Sequence, residues 1–328
     1  MSIAVGKSEA KNQSERFCRL PFSAIRLVSP LRVDLYCLNH GDREPRLLCG
    51  RKLDLPPEKL NEIEARGGSS LYVLGGDMDS VAAKLRDALQ QVHADQKLAL
   101  EEKFALLQLS HSTEIERLFR KIYCDQFIEL AKTVGAEIAQ LFADKNVSGP
   151  ALFEQMFHNR STHAHLTNVA AYLVVLAKEL GVKDHAKLES IAIGGLLHEV
   201  GKLFVDQELY NKTGRLTARE RIEIESSPQL GYEILVDRPE FEINQLLMVY
   251  QHHECFDGSG YPVAIVGDEI CPWARMLAIV DVFDKLTSTR AQRRALECSD
   301  ALLQITDGAD RQFDPEMVLC WVSIFQQA

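Results

Sequence analysis

Apolar positions recur at helical spacing over most of the second half of the chain. From about Ala151 onward, segments such as HLTNVAAYLVVLAKELGV, KLESIAIGGLLHEVGKLF and WARMLAIVDVFDKLTSTR place apolar residues three and four positions apart, and nothing alternates as a strand would. This pattern predicts at least five helices and an all-α bundle over residues 149–328. The segment KLESIAIGGLLHEVGKLF is apolar on most faces, which predicts that it is buried.

The first half of the chain has a different pattern. Residues 1–19 are polar and predict a flexible tail. Residues 20–78 combine the strand-like stretches LRVDLYCL, RLLCGRKL and SSLYVL with LPPEKLNEIEARGG, a helix pattern that starts at proline and ends before glycine. The apolar spacing in residues 79–148 predicts a helical connector that packs on its neighbours or on a second copy of the chain. The predicted fold class is therefore mainly α: a C-terminal all-α helical bundle preceded by a small α/β module and a helical connector.

Composition and charge narrow the classes of function. Of 328 residues, 46% are hydrophobic and 26% charged, which is typical of a folded chain. The net charge of -10 argues against duplex nucleic acid as a binding partner. Eight cysteines without a CxxC pair indicate reduced thiols, and we interpret Cys255 as a spacer. Because no stretch approaches the roughly 18 apolar residues of a membrane span and the start lacks a signal-peptide core, we expect a cytoplasmic protein.

Polar residues interrupt the helices that look most buried. His198 and Glu199 follow IAIGGLL, Asp281 follows MLAIV, and His252 and His253 end a helix of Leu, Met, Val and Tyr. An unpaired carboxylate or imidazole costs several kcal/mol in an apolar interior, which pairing or a bound cation offsets. A lone histidine on an apolar helix is more often satisfied by a backbone carbonyl than by a metal. Several such residues together indicate one shared polar cavity that holds one or two metal ions.

Helix geometry agrees with such a cavity. Consecutive helical residues point about 100° apart, so one His-acid neighbour pair can reach two ions. With His165 and Asp281 from two further helices, the two doublets would surround a binuclear centre, whose ions lie roughly 3.5–4 Å apart in two-metal hydrolytic sites. Imidazole with carboxylate suits Fe, Mn, Zn or Co, and this choice stays open.

The motifs of the second half resemble a known family. HHECFDGSGYP matches every defining position of the HD-GYP proteins, a branch of the HD-domain metal-dependent phosphohydrolases, and the resemblance covers roughly residues 151–321. Four weaker motifs occur along the chain in the order that the family has: HLTNV at 165–169, LLHEVGK at 196–202, SSPQLGYEIL at 226–235 and VDVFDKLTSTR at 280–290. The resemblance implies a helical HD-type bundle and cyclic di-GMP as substrate. It also implies a metal-activated hydroxide that opens the ring to pGpG and sometimes yields GMP.

The resemblance also assigns site residues. Its metal-ligand positions fall on His165, His198, Glu199, His252, His253 and Asp281. Its catalytic positions fall on Lys202, which would face the phosphate, and on the bridging acid Glu199. Its substrate or loop positions fall on Lys202, Gly258, Gly260, Tyr261, Arg290 and Arg293.

Three positions depart from the family pattern. Glu199 replaces the aspartate of the name-giving His-Asp doublet, and its side chain is one methylene longer. Ser227 replaces a histidine ligand, and Ser161 replaces a glutamate that trinuclear members carry. The last change argues against a third metal, and the first two predict that a second metal binds weakly. Asp284 is either an orienting partner for a ligand or an exposed helix acid, and we expect His158 and His163 to be surface residues.

Three functions fit these residues. The first is a cyclic di-GMP phosphodiesterase with an altered but serviceable metal site. The second is a weak or inactive member that acts as a signalling module. It would bind either cyclic di-GMP or diguanylate cyclase (GGDEF) domains, the latter through the turn CFDGSGYP at residues 255–262, hereafter the GYP loop. The third is a general HD nucleotide phosphohydrolase, which would not need the GYP turn. A homodimer stays open, and the N-terminal module is either sensory or a structural prefix.

Overall fold

The computed structural model describes residues 17–39, 42, 44–53, 55–66, 70–121, 123–143, 147–156, 162–212, 214–289 and 294–326. Contacts within the chain divide it into two compact units, Met1–Thr113 and Glu114–Ala328. The predicted connector, residues 79–148, thus contributes to both units. Among the residues described, no helix has the length and the apolar character needed to cross a bilayer.

The first unit is a small α/β module. Its elements are β1 (Phe17–Leu20), α1 (Phe22–Val28), β2 (Leu35–Leu38), β3 (Arg46–Cys49), α2 (Pro57–Ala65), β4 (Ser70–Leu74) and α3 (Met78–Ala94). The strands form an antiparallel sheet in the order β1-β4-β2-β3. Alternation explains how β2 packs, because Leu35 and Cys37 are buried whereas Tyr36 and Leu38 are only half-buried. Helix α1 packs against α2 and α3, and Ile25, Leu71 and Val81 lie in the core.

Two elements of this unit lie outside the sequence prediction. Strand β1 begins at Phe17, within the stretch predicted as a tail, because Phe17–Leu20 pairs with β4. Helix α1 has seven residues, too few for a helical period to stand out in the sequence. Helix α4 (Leu100–Lys121) follows α3 and runs through the boundary between the two units.

The second unit is the predicted all-α bundle. After α4, its helices are α5 (Cys124–Phe142), α6 (Gly149–Gln155), α7 (Thr162–Glu179), α8 (His185–Leu197), α9 (Gln207–Asn211), α10 (Ala218–Glu225), α11 (Ser227–Leu235), α12 (Ile243–Gln251), α13 (Pro272–Thr287), α14 (Cys298–Asp307) and α15 (Pro315–Gln326). Helix α8 packs against α5, α7 and α12, which explains why it is apolar on most faces. A Cβ at Gly195 would lie 2.6 Å from Cδ1 of Leu173, so glycine allows α7 and α8 to approach closely.

The predicted helix KLESIAIGGLLHEVGKLF is two elements. Helix α8 ends at Leu197, and a 3₁₀ turn follows at Val200–Phe204. A Cβ at Gly201 would lie 1.9 Å from the carbonyl oxygen of Ser227, so the turn lies directly on the backbone of α11. His198 and Glu199 therefore lie between the end of α8 and this turn. The prediction that both residues lie within one helix was wrong.

Candidate metal centre and its adjacent cavity

Four predicted metal ligands converge in the second unit: His165, His198, Glu199 and Asp281, hereafter the tetrad. One donor atom from each lies within 4.8 Å of the others. Nε2 of His165 lies 3.4 Å from Oε1 of Glu199 and 3.3 Å from Oδ1 of Asp281. Nε2 of His198 lies 3.8 Å and 3.7 Å from the same two oxygens. Helix α7, the end of α8 and helix α13 therefore bring distant residues to one point.

Backbone and carboxylate acceptors orient the imidazoles. Nδ1 of His165 is 2.8 Å from Oδ2 of Asp284, and Nδ1 of His198 is 2.7 Å from the carbonyl oxygen of Gly195. A carbonyl or carboxylate oxygen can only accept, so Nδ1 of each ring is the donor. When the rings are neutral, the lone pair of each Nε2 then faces the tetrad, as in metal-ligating histidines.

Three buried ligand atoms of the tetrad have no hydrogen-bond partner among the described residues: Nε2 of His165, Nε2 of His198 and Oδ1 of Asp281. All three face the same point. Such orphaned atoms are costly unless a cation satisfies them. Two imidazole nitrogens and two carboxylate oxygens form a donor set that divalent ions such as Fe, Mn or Zn accept. The residues present therefore fit the divalent metal predicted from the sequence.

The tetrad is also electrostatically coupled. Burial alone would raise the pKa of Glu199 and Asp281, but the ammonium groups of Lys202 and Lys285, respectively, hold both well below their usual range. Burial would lower the pKa of His165, but Glu199 with Asp281 and Asp284 raises it well above its usual value. The neighbouring carboxylates thus favour positive charge at Nε2 of His165, and a proton or a metal ion can supply it but not both at once.

His252 and His253 lie beside the tetrad without belonging to it. The ring centroid of His252 is 5.2 Å from that of His198 and 4.0 Å from that of His253. Nδ1 of His252 is 2.9 Å from the carbonyl oxygen of Val249, so its Nε2 is also left for a ligand when the ring is neutral. Burial lowers the pKa of His252 far below its usual value and that of His253 to about 3, so both rings are neutral near pH 7.

The GYP loop packs against these histidines. The ring of Tyr261 lies over that of His253, with centroids 4.8 Å apart, and the backbone N–H of Tyr261 donates to the carbonyl of His253. Gly258 has a φ of +80°, which favours glycine. At Gly260, a Cβ would lie 2.3 Å from the backbone nitrogen of Cys255. Both glycines are therefore required by the backbone of the turn.

A cavity of about 200 Å³ opens between the GYP loop and α13, where Asp281 is the one tetrad residue in its lining. Its lining includes His252, His253, Tyr261, Asp281 and Gln312. Cys255 also lines it, but burial raises the pKa of this thiol, which disfavours a thiolate nucleophile and is consistent with the spacer interpretation.

Other predicted residues fall away from the tetrad or outside the described residues. Arg290, Arg293, Ser161 and His158 lie outside them. His163 is not the surface residue that we predicted: its side chain is only 14% exposed. Its backbone nitrogen lies 3.1 Å, and its Nδ1 3.4 Å, from Oε1 of Glu116, so His163 contacts this carboxylate.

Sequence reasoning left open or missed several residues that support the site. Asp284 is 1% exposed and accepts hydrogen bonds from His165 and from Nδ2 of Asn168. Glu254, 3% exposed, accepts from the backbone N–H groups of Val263 and Ala264 and so closes the GYP loop.

Lys285 was not singled out either, although its ammonium group lies 2.5 Å from Oδ2 of Asp281. Its position one helical turn after Asp281 was the available signal.

Residues 147–317 match a family model described as HD domain. The chain belongs to the HD domain family. The predicted family resemblance is confirmed by this match and by relatives that are named cyclic di-GMP phosphodiesterases. A cyclic di-GMP phosphodiesterase of Pseudomonas aeruginosa is 28% identical over 74% of this chain and 59% of its own length. The cyclic di-GMP phosphodiesterase response regulator RpfG of Xanthomonas campestris pv. campestris is 32% identical over 49% of this chain and 43% of its own.

A 3'3'-cGAMP-specific phosphodiesterase of Vibrio cholerae is 31% identical over 47% of this chain and 33% of its own length. The matched part of the chain thus spans between about a third and three fifths of the length of each of these three relatives. A solved HDG"Y"P protein of Bdellovibrio bacteriovorus aligns with 95% of this chain and all of its own, with a TM-score of 0.64 and 16% identity. At this identity the likeness supports the fold, and it confirms the predicted mainly α class.

Proposed function

We propose that this chain is a metal-dependent phosphodiesterase that hydrolyses cyclic di-GMP to pGpG. The observation that carries the proposal is the set of orphaned donor atoms on His165, His198 and Asp281 beside a cavity closed by the GYP loop. The names of the relatives from Pseudomonas and Xanthomonas support this substrate. GMP as a final product stays a prediction.

The chain's own residues bind and orient the phosphodiester. A divalent ion, when bound, supplies Lewis-acid polarisation and lowers the pKa of a water. His165, His198, Glu199 and Asp281 would hold that ion, with His252 and His253 beside it. Each bridging phosphate of the substrate carries a negative charge, which the ammonium groups of Lys202 and Lys285 neutralise. Because both lysines already lie at the carboxylates of the tetrad, this positive charge is preorganised.

The GYP loop orients the dinucleotide. Tyr261 is held on His253 at the cavity, where its ring can pack against a ribose or a base. Gly258 and Gly260 fix the turn that holds this ring in place. Arg290 and Arg293 are proposed to add further positive charge for the phosphates.

Product analysis tests the proposal. Protein supplied with Mn or Fe is incubated with cyclic di-GMP, and the nucleotides are separated and identified by mass. We expect pGpG, and we expect His253→Ala to abolish it. His185→Ala is the matched control, because His185 is an exposed histidine at the start of α8. Incubation with 3'3'-cGAMP in parallel decides which cyclic dinucleotide is preferred.

The alternative function is signalling without turnover, and Glu199 and Ser227 favour it. Ser227 is buried and offers a hydroxyl where the family pattern has an imidazole ligand. If protein with bound metal binds cyclic di-GMP in calorimetry but yields no product, this alternative is correct. Binding of GGDEF domains through the GYP loop, a homodimer and a cytoplasmic location remain parts of the proposal, and co-purification with a diguanylate cyclase tests the first of them.

A further inference from the structure

Two ammonium groups lie against the two carboxylates of the tetrad. Nζ of Lys202 bonds Oε1 of Glu199. Nζ of Lys285 lies 2.5 Å from Oδ2 of Asp281 and 3.8 Å from Oε1 of Glu199. Both lysine side chains are 21% exposed, so their charges are largely withdrawn from water. Each carboxylate of the tetrad thus contacts a lysine ammonium group as well as an imidazole.

Lys202 belongs to the Val200–Phe204 turn, which packs on α11, the helix that begins at Ser227. Its Nζ is 5.3 Å from the ring centroid of Tyr210, within the range of a cation–π contact. The turn that carries Lys202 packs on α11 at Ser227, which is buried and whose hydroxyl is a weak ligand for a divalent ion. The turn that carries Lys202 thus adjoins Ser227, the position where the family pattern has a histidine ligand.

A second divalent ion would compete with these lysines for the same oxygens. In two-metal sites a carboxylate often bridges the ions, one oxygen to each. Here Oδ1 of Asp281 faces the imidazoles while Oδ2 is bonded to Lys285. Oε1 of Glu199 is a member of the tetrad and also bonds Lys202. A second ion bound to Oδ2 of Asp281 or to Oε1 of Glu199 would lie close to the positive charges of both lysines, which would repel it.

We propose that Lys202 and Lys285 take the place of a second divalent cation, so that this chain binds a single ion, at the tetrad. The inference rests on the proposed function only in taking the tetrad as the metal site. It makes Lys285 a second phosphate-facing cation beside Lys202. It also explains how Glu199 and Ser227 can coexist with an intact GYP loop: the charge of the missing ion is supplied by the chain itself.

Counting bound ions tests this inference without reference to turnover. Metal-free protein is saturated with Mn(II), free ion is removed, and manganese per chain is measured by mass spectrometry together with the electron paramagnetic resonance spectrum. We expect about one ion per chain and the spectrum of an isolated Mn(II), in contrast with the coupled pair of a two-metal site. For Lys202→Met with Lys285→Met, we expect about two ions and a coupled spectrum.

Lys212→Met is the matched control, because Lys212 forms an ion pair with Glu220 elsewhere in the same unit. It should leave the ion count unchanged. If the double variant does not fold, Lys285→Gln alone replaces it, since the amide keeps a hydrogen-bond donor but removes the charge.

The outcomes separate this inference from the proposed function. Two coupled ions in the parent protein, or none, overturn it, and so does a folded lysine variant that still binds only one. A parent with one ion that fails to hydrolyse any cyclic dinucleotide contradicts the proposed function and leaves the ion count standing. A parent that hydrolyses with two ions does the reverse.

Discussion

The imidazole of His165 and the carboxylate of Asp284 are joined by a hydrogen bond of 2.8 Å between Nδ1 and Oδ2, although 119 positions separate them in the chain. The other carboxylate oxygen of Asp284 accepts from Nδ2 of Asn168 at 2.7 Å. One buried carboxylate on α13 thus orients the imidazole that α7 contributes to the tetrad. This resolves the open reading of Asp284 in favour of an orienting partner.

Replacing Asp284 with asparagine should weaken metal binding. The amide of the variant would offer one acceptor oxygen to two donors, so either His165 or Asn168 would face an amide N–H. Replacing a residue that orients a metal ligand typically lowers metal affinity by about 10–100-fold, and we expect a loss in that range for Asp284→Asn. Titration of metal-free protein with Mn(II) in a calorimeter measures it. Asp237→Asn, at an exposed acid, is the control, and equal affinity in the two variants would contradict an orienting role.

Strong local patterns together with the motif resemblance were sufficient to predict the bundle and the four residues of the tetrad. Long helices such as α7 and α13 show a full helical period, and the apolar faces of α8 predict its burial. His198, Glu199 and Asp281 stood out as polar residues in apolar segments, and the motif resemblance added His165. Charged or imidazole side chains within apolar helices are informative because burial is costly without a partner.

The remaining features depend on contacts that are distant in sequence. The end of α8 and the turn after it follow from the contact of Gly201 with the backbone of Ser227, which no local pattern encodes. Lys285 looks like an ordinary helix-surface lysine until α13 is packed beside α7. The exclusion of His252 and His253 from the tetrad likewise depends on where α12 ends relative to its neighbours.

Chelation should lower the melting temperature of the protein. A ligand present at 100 times its Kd stabilises the native state by about 2.7 kcal/mol, provided that the unfolded chain does not bind it. For a domain of this size that corresponds to roughly 5–10 °C. We therefore expect EDTA to lower the melting temperature in calorimetric scans, and Asp281→Asn to remove most of the difference. Asp268→Asn, at a side chain 94% exposed, should retain it. A melting temperature insensitive to EDTA in the parent would argue against a metal at the tetrad.

The imidazole of His253 should make the stability of the metal-free protein depend on pH. Burial and then the charge of Lys285 lower the pKa of His253 to about 3 from 6.5. Between these values the unfolded chain binds the proton and the folded chain does not, so the free energy of unfolding falls as pH falls. His252, whose pKa burial lowers well below its usual value, acts in the same direction over the same pH range. The lowered pKa values of Glu199 and Asp281 also act in this direction, but only at lower pH.

His165 acts in the opposite direction, because its raised pKa adds stability that is lost as pH rises through it. A variant isolates His253 from these groups. In chelator, we expect the urea midpoint to fall between about pH 7 and pH 5 in the parent, and to fall less in His253→Gln. His185→Gln, at an exposed histidine, should behave as the parent does. An undiminished slope in His253→Gln would mean that the proton uptake lies elsewhere.

The backbone of the GYP turn makes Gly260 a test of how the loop positions Tyr261. A Cβ at this position would lie 2.3 Å from the backbone nitrogen of Cys255 and 2.5 Å from Cα of Glu254, so the loop must move. Overpacking of this kind costs about 1–3 kcal/mol, and the displacement would carry Tyr261 away from His253. Because misplacing a group by 1 Å can cost about 100-fold in rate, we expect Gly260→Ala to reduce hydrolysis of cyclic di-GMP at least that much.

Gly214→Ala is the matched control, since its Cβ would meet nothing closer than Cε of Lys212 at 3.9 Å. Hydrogen exchange should rise in residues 254–264 of Gly260→Ala and stay unchanged there in Gly214→Ala, because only the first substitution strains the turn. An added methyl group would clash with the backbone at Gly260 but not at Gly214. A loss of activity in both variants would therefore indicate general destabilisation. A Gly260→Ala protein with parental turnover would show that the turn tolerates the shift and that Tyr261 does not need its place over His253.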